Sequence, residues 1–304
     1  MTTISSLLSL QIFRSIKLCF ASSIFLTRIA PDLSLSIVLV SVTVNNAIFT
    51  FIKFFKMIIL PIFFFITAIL YSSVGFGGGS TYLALMLIWD IPYYIFPIIA
   101  LLCNIIVVSG NSINYIRTGN LSLKLLIPYL IGSIPFAFYG ASLQISKNLF
   151  EIILFLILAI AGILLFFESK TLRNHDFEVS EIPKIFSVLI GSVIGFFSGL
   201  IGIGGGIFLS PILFLIKAGH PKQIASSASL FILINSIFGV AGQITKDIVF
   251  DKFLNFWPLF LVVLIGGQIG NFLNIKFLSN KILALITSLL VIFVAARMGF
   301  RILA

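Results

Sequence analysis

Gly75-Phe76-Gly77-Gly78-Gly79 stands inside one membrane-length apolar stretch, and Gly202-Ile203-Gly204-Gly205-Gly206 stands inside another. The two runs lie 127 residues apart. Consecutive glycines forfeit helix propensity at each position, because a residue without Cβ loses the most backbone freedom on folding. In hydrocarbon an interrupted helix survives only where protein or a wet cavity receives the freed backbone groups. Two interruptions at matching places in two halves are the sequence mark of a transporter's binding site.

The composition agrees with that setting. Of 304 residues, 60% are hydrophobic and 9% charged, and the mean hydropathy is +1.23. A soluble domain of this length carries about a quarter charged residues. The chain is therefore read as an all-α, polytopic transmembrane helical bundle. The net charge of +10 comes from basic residues scattered singly between apolar segments. That pattern fits topology anchors and anionic lipid, not nucleic acid. Cys19, Cys103, His175 and His220 form no disulfide framework and no metal spacing. No cofactor is expected.

About eight segments follow, in two pseudo-symmetric halves of four, each opening on its glycine-broken helix. The first half spans 57–167: Ile58–Trp89 with the first break, Pro92–Tyr115, Leu121–Leu143 and Leu149–Phe167. Residues 168–184 form a polar inter-repeat loop. The second half spans 185–304: Ile185–Ile216 with the second break, Pro221–Ile244, Phe253–Phe277 and Ile282–Phe300. Pro92 pairs with Pro221, Pro128 with Pro258 and Gly140 with Gly270, at shifts of 129, 130 and 130. Residues 1–56 fit two readings, an extra N-terminal helix or sequence upstream of a start at Met57.

If each segment crosses once, Lys147, Lys217, Lys222, Lys276 and Lys281 fall on one side and the eleven other basic residues from Lys53 onward on the opposite side. The positive-inside rule then favours eight crossings, with both ends of the core cytoplasmic. If each broken segment instead dips in and returns, the count becomes 7 against 9 and the bias vanishes. Eight crossings are expected on this ground. The symmetry type stays open, since inverted repeats need an odd number of crossings per half.

Half-helices starting after the breaks would aim unpaired N–H groups and a positive dipole end at a shared point, which attracts anions without a basic side chain. Candidate substrate-binding residues are Gly77, Gly78, Gly79, Ser80 and Thr81 at the first break and Gly204, Gly205 and Gly206 at the second. Asn104 and Asn111 follow the first break, and Ser226, Ser229 and Asn235 follow the second. The competing reading of the glycines is close helix packing, and of the amides and hydroxyls interhelical hydrogen bonding. No Asp or Glu lies deep in any span from Met57 onward, so a carboxylate proton relay is disfavoured. No GxxxxGK[ST] loop and no nucleophile–base arrangement is present, so neither ATP-driven transport nor an enzyme is expected.

At these residues the chain resembles the sulfite exporter TauE/SafE family. The resemblance is carried by Gly75–Ser80, by Ala100 to Asn111, by Gly199 to Pro211, and by Lys222 to Ser236. It covers about Met57 to the C-terminus and departs in the first half, where Ala84 stands in the place of Pro211. It implies a multi-pass plasma-membrane permease exporting sulfite, a sulfonate or a related organosulfur anion. The expected partners are that anion and the bilayer, with a homo-oligomer as an option. The contrasting hypothesis is a non-transporting membrane scaffold or sensor.

Overall fold

The computed structural model describes residues 59–171 except Val74, Asp90 and Asn120, residues 182–246 except Lys217, residues 256–276, and Ile292 and Ala296. Residues 1–56 and the segment Ile282–Phe300, apart from those last two positions, lie outside the described residues. Every regular element among those described is helical. In chain order they are α1 (Ile59–Ser72), α2 (Gly79–Ile88), α3 (Phe96–Arg117), α4 (Leu123–Ser142), α5 (Lys147–Thr171), α6 (Lys184–Ile201), α7 (Gly206–Leu215), α8 (Pro221–Ile244) and α9 (Trp257–Lys276). Four stretches are long and apolar enough to cross a membrane: Tyr93–Arg117, Leu123–Ser142, Lys184–Ile201 and Lys222–Ile244.

Polarity is distributed as hydrocarbon solvent requires. Large aliphatic side chains such as Ile131, Ile185, Leu189 and Val193 are exposed, while Ser72, Asn104, Asn111, Ser226, Ser227, Ser229, Asn235 and Ser236 are buried. Lipid tails satisfy no hydrogen bond, so polar groups turn inward and find one another.

Both glycine runs break their helices. Helix α1 stops at Ser72 and α2 starts at Gly79; α6 stops at Ile201 and α7 starts at Gly206. Gly75, Gly78, Gly202, Gly204 and Gly205 have φ between 80° and 93°, a left-handed conformation that a side chain resists. That conformation turns the chain back on itself. The Tyr71 hydroxyl meets Thr81 Oγ1 at 2.8 Å, the rings of Phe64 and Tyr82 stack at 4.7 Å, and Phe63 meets Trp89 edge-on at 5.6 Å. As the chain advances along α2 it retreats along α1, so the two form an antiparallel hairpin. In the second half, Gly204 lies beside Ser236 and Gly206 beside Ala228, so the chain entering α7 runs against α8.

These hairpins correct the expectation of single crossings. Each broken segment returns towards the side from which it came, because the left-handed glycines reverse the chain where a kink would only bend it. The lysine and arginine bias that favoured eight crossings therefore disappears.

The pairings also identify the symmetry. Glycines of α6 at Gly191, Gly195 and Gly199 lie against the backbone of Tyr129, Ser133 and Ala137 on α4, so the two helices run parallel with almost no side chain between them. Gly266 and Gly270 of α9 lie in the same way against Phe65 and Ile69 on α1. Gly140 meets the Phe196 carbonyl and Gly270 meets the Ile69 carbonyl, one contact made twice with the halves exchanged. Helices α3 and α8, which are equivalents, run antiparallel: Ser112 Oγ lies 3.2 Å from Ser229 Oγ, and Gly239 abuts Leu101. Equivalent elements pointing in opposite directions make this an inverted repeat among the described residues.

The close approaches yield a paired prediction. A Cβ at Gly270 would collide with Ile69 O, whereas one at Gly267 on the same helix would meet Val107 at an ordinary 3.4 Å. Gly270→Ala should cost about 1–3 kcal/mol, as overpacking against rigid backbone does. Gly267→Ala should be near neutral. Thermal unfolding in detergent checks the contrast, and equal melting temperatures for the two variants would refute the packing scheme.

Candidate functional site

The two breaks meet on Asn104 of α3. Its Nδ2 donates to Ile203 O at 2.9 Å, which lies within the second break. A Cβ at Gly77 would collide with its Oδ1, and Cβ atoms at Gly79 and Gly204 would come within 2.7 Å of its Nδ2. Gly79 also approaches Ile203 O, at 2.7 Å from its would-be Cβ. Thus Gly77, Gly79, Asn104, Ile203 and Gly204 form one fully buried junction between the halves. Only glycine fits there, since every Cβ would displace the amide that holds the junction together.

The neighbouring polar atoms are under-used. Asn104 Oδ1, Asn235 Oδ1, Ser236 Oγ and Ser198 Oγ are buried without a hydrogen-bond partner among the described residues. A buried polar atom left unpaired costs about 1–3 kcal/mol. Of these, Asn104 Oδ1 and Ser236 Oγ face the junction glycines Gly77 and Gly204. Ser236 Oγ lies about 3.1 Å from where a Gly204 Cβ would stand, so it faces the junction directly.

Both half-helix N-termini begin here. Gly78 caps α2 with φ 85°, and the first backbone donors inside that helix, Thr81 N and Tyr82 N, bond Gly78 O. The amides of Gly79 and Ser80 precede them and lie outside the helical ladder. Phe208 N and Leu209 N bond Gly205 O in the same manner, which leaves Gly206 and Ile207 in the equivalent position.

The remaining candidates lie elsewhere around this centre. Ser80 and Thr81 clasp the Tyr71 hydroxyl at 3.4 and 2.8 Å, closing the first hairpin. Asn111 ties α3 to the end of α1, donating from Nδ2 to Ser72 O at 3.0 Å. Ser229 meets Ser112 at the α3–α8 crossing. Ser226 Oγ donates to Gln223 O on its own helix. Asn235 Nδ2 donates to Phe231 O, one turn back. Gly78 packs against Thr67 and Tyr82, Gly205 against Ile194 and Phe231, and Gly206 against Ile232. Sequence reasoning passed over Tyr71, Ser72, Ser198 and the carbonyl of Ile203. Ile203 gives no chemical signal at all, because its contribution is a main-chain oxygen.

A fully buried polar junction between two inverted half-helices is the arrangement of a membrane transporter. The family model described as sulfite exporter TauE/SafE matches residues 59–298. The chain belongs to the sulfite exporter TauE/SafE family. Among its relatives is the probable membrane transporter protein y4hK of Sinorhizobium fredii, 29% identical over 76% of this chain and 93% of that protein. The probable membrane transporter protein MJ0441 of Methanocaldococcus jannaschii is 29% identical over 64% of this chain and 76% of its own length. The probable membrane transporter protein YunE of Bacillus subtilis is 22% identical over 77% and 94%. No solved structure matches. This TauE/SafE protein is a multi-pass membrane transporter.

Asn104 gives the test of the junction. Asn104→Ala removes the donor to Ile203 O and leaves a buried carbonyl unpaired, so stability should fall by about 1–3 kcal/mol. Asn104→Asp should fare no better, because a carboxylate cannot donate to a carbonyl. Wild-type melting temperatures for both variants would show that the amide does not hold the breaks together.

Proposed function

We propose that this protein is a secondary transporter that exports a small anion, of the sulfite, sulfonate or related organosulfur class, across the plasma membrane. The observation that carries the reading is the convergence of both half-helix N-termini on the Asn104 junction. Backbone N–H groups at Gly79, Ser80, Gly206 and Ile207 would bind the anion's oxygens, aided by the Ser236 hydroxyl. Helix N-termini favour negative charge through their aligned dipoles and their free donors. In this low-dielectric setting they need no lysine or arginine.

Asn104 adds a selective element. Its amide nitrogen is committed to Ile203 O, so the Oδ1 turned towards Gly77 acts as an acceptor. An oxyanion that also carries one hydroxyl, such as hydrogensulfite, satisfies the N–H donors with its oxygens and Oδ1 with its proton. A doubly deprotonated anion would leave Oδ1 unpaired and repelled.

Residues 57–167 and 185–304 would act as the two moving halves, joined through 168–184. Inverted halves can rock about a fixed central site and expose it to either side in turn. The membrane potential supplies the drive, roughly 2.3 kcal/mol per charge per 100 mV for an anion leaving a negative interior. That drive accords with spans that hold no carboxylate at depth.

Proteoliposomes loaded in turn with sulfite, sulfate, sulfoacetate and thiosulfate test the reading. Efflux of at least one of these should appear with the purified protein and accelerate when the exit side is made positive. Gly78→Leu and Gly205→Leu should abolish that flux while the protein stays in the membrane, since both positions are left-handed and enclosed. Undiminished flux in either variant would overturn the site, and no flux of any of the four anions would overturn the substrate class.

A further inference from the structure

A second feature lies on the far side of α3 from Asn104. Helices α3 and α9 line an open cavity of about 530 Å³. Along the equivalent seam, between α8 and α4, Gly242 lies against Phe138 O and the Ala141 side chain.

The cavity lining changes along the helix axis. At the deep end it is aliphatic, with Ile105, Ile106 and Leu264. Midway, the exposed Gln268 carboxamide crosses the face of Gly110, where a Cβ would meet its Nε2 at 3.3 Å. At the outer end Asn114 Nδ2 donates to Asn271 Oδ1 at 2.9 Å, and Arg117 completes the wall one turn further on. No ion pair to Arg117 occurs among the described residues. The rim beside the cavity is apolar and open, with Ile113 49% and Ile265 57% exposed, so it faces hydrocarbon.

We propose that this cavity binds one anionic glycerophospholipid, its phosphate on Arg117, its ester region on Gln268 and the Asn114–Asn271 pair, and an acyl chain along Ile105, Ile106 and Leu264. The order of the lining matches the order of groups in such a lipid. A small free oxyanion would use Arg117 but would leave the aliphatic end and Gln268 without a partner. The C-terminal carbonyls of α3 disfavour an anion at this end of the helix, so the guanidinium must offset them. Arg117 is therefore the decisive residue, and a bidentate one.

Native mass spectrometry of the full chain, exchanged into detergent with equal phosphatidylglycerol and phosphatidylcholine, tests this. Wild-type protein should retain one phosphatidylglycerol in preference to phosphatidylcholine. Arg117→Gln should reduce that retention about fivefold, the worth of one basic side chain against an anionic lipid surface. Arg117→Lys should recover most of it. Ser109→Phe, which fills the cavity without changing charge, should abolish it. Circular dichroism melts identify any variant that fails to fold. Retention unchanged in both Arg117→Gln and Ser109→Phe would overturn the proposal. So would displacement of phosphatidylglycerol by inorganic phosphate at equal concentration, which would mark a free-oxyanion site.

Discussion

The hydrogen bond from Asn104 to the Ile203 carbonyl fixes the rest of this molecule. It spans the two halves, it is buried, and it ties α3 to the carbonyl of the second break. Around it, glycine is a steric necessity. A Cβ at Gly77 or Gly79 would displace the amide, and one at Gly204 would do so from the other half. The glycine runs thus serve two demands at once. Their left-handed backbone reverses the chain, and their missing side chains let two reversed chains approach the same asparagine.

Close approach is repeated at the helix seams. The α4–α6 and α1–α9 pairs bring backbone against backbone through glycines spaced four apart, the form of contact that gains most when lipid offers no hydrophobic drive for helix association. Because both pairs join one half to the other, the halves are interlocked and do not sit side by side. Further out, Gly242 of α8 lies against Phe138 O of α4, while Gln268 and Asn271 of α9 line an open cavity against α3.

Much of the architecture is legible from residue order. Long apolar stretches, a scarcity of charge and two glycine runs 127 residues apart dictate a repeated helical membrane bundle with interrupted first helices. The family resemblance reaches the same end through the motifs around Gly75 and Gly202. Asn104 is legible as a buried amide near a break. The glycines at 191, 195 and 199 carry a readable spacing, but only the fold reveals α4 as the surface they serve.

What the sequence determined by itself is the solvent and the places where helices must stop, because each depends on local composition and backbone propensity. What only the tertiary structure decided is the direction the chain takes after each stop. A run of glycines permits a bend, a crossing or a return with little difference in local energy. The return is selected by contacts distant in sequence: Phe63 with Trp89, Tyr71 with Thr81, and Asn104 with Ile203. The same distance hides the role of Ile203, whose side chain says nothing of the carbonyl it presents. Inversion of the halves follows from those returns, since a chain that turns back twice leaves its equivalent helices antiparallel.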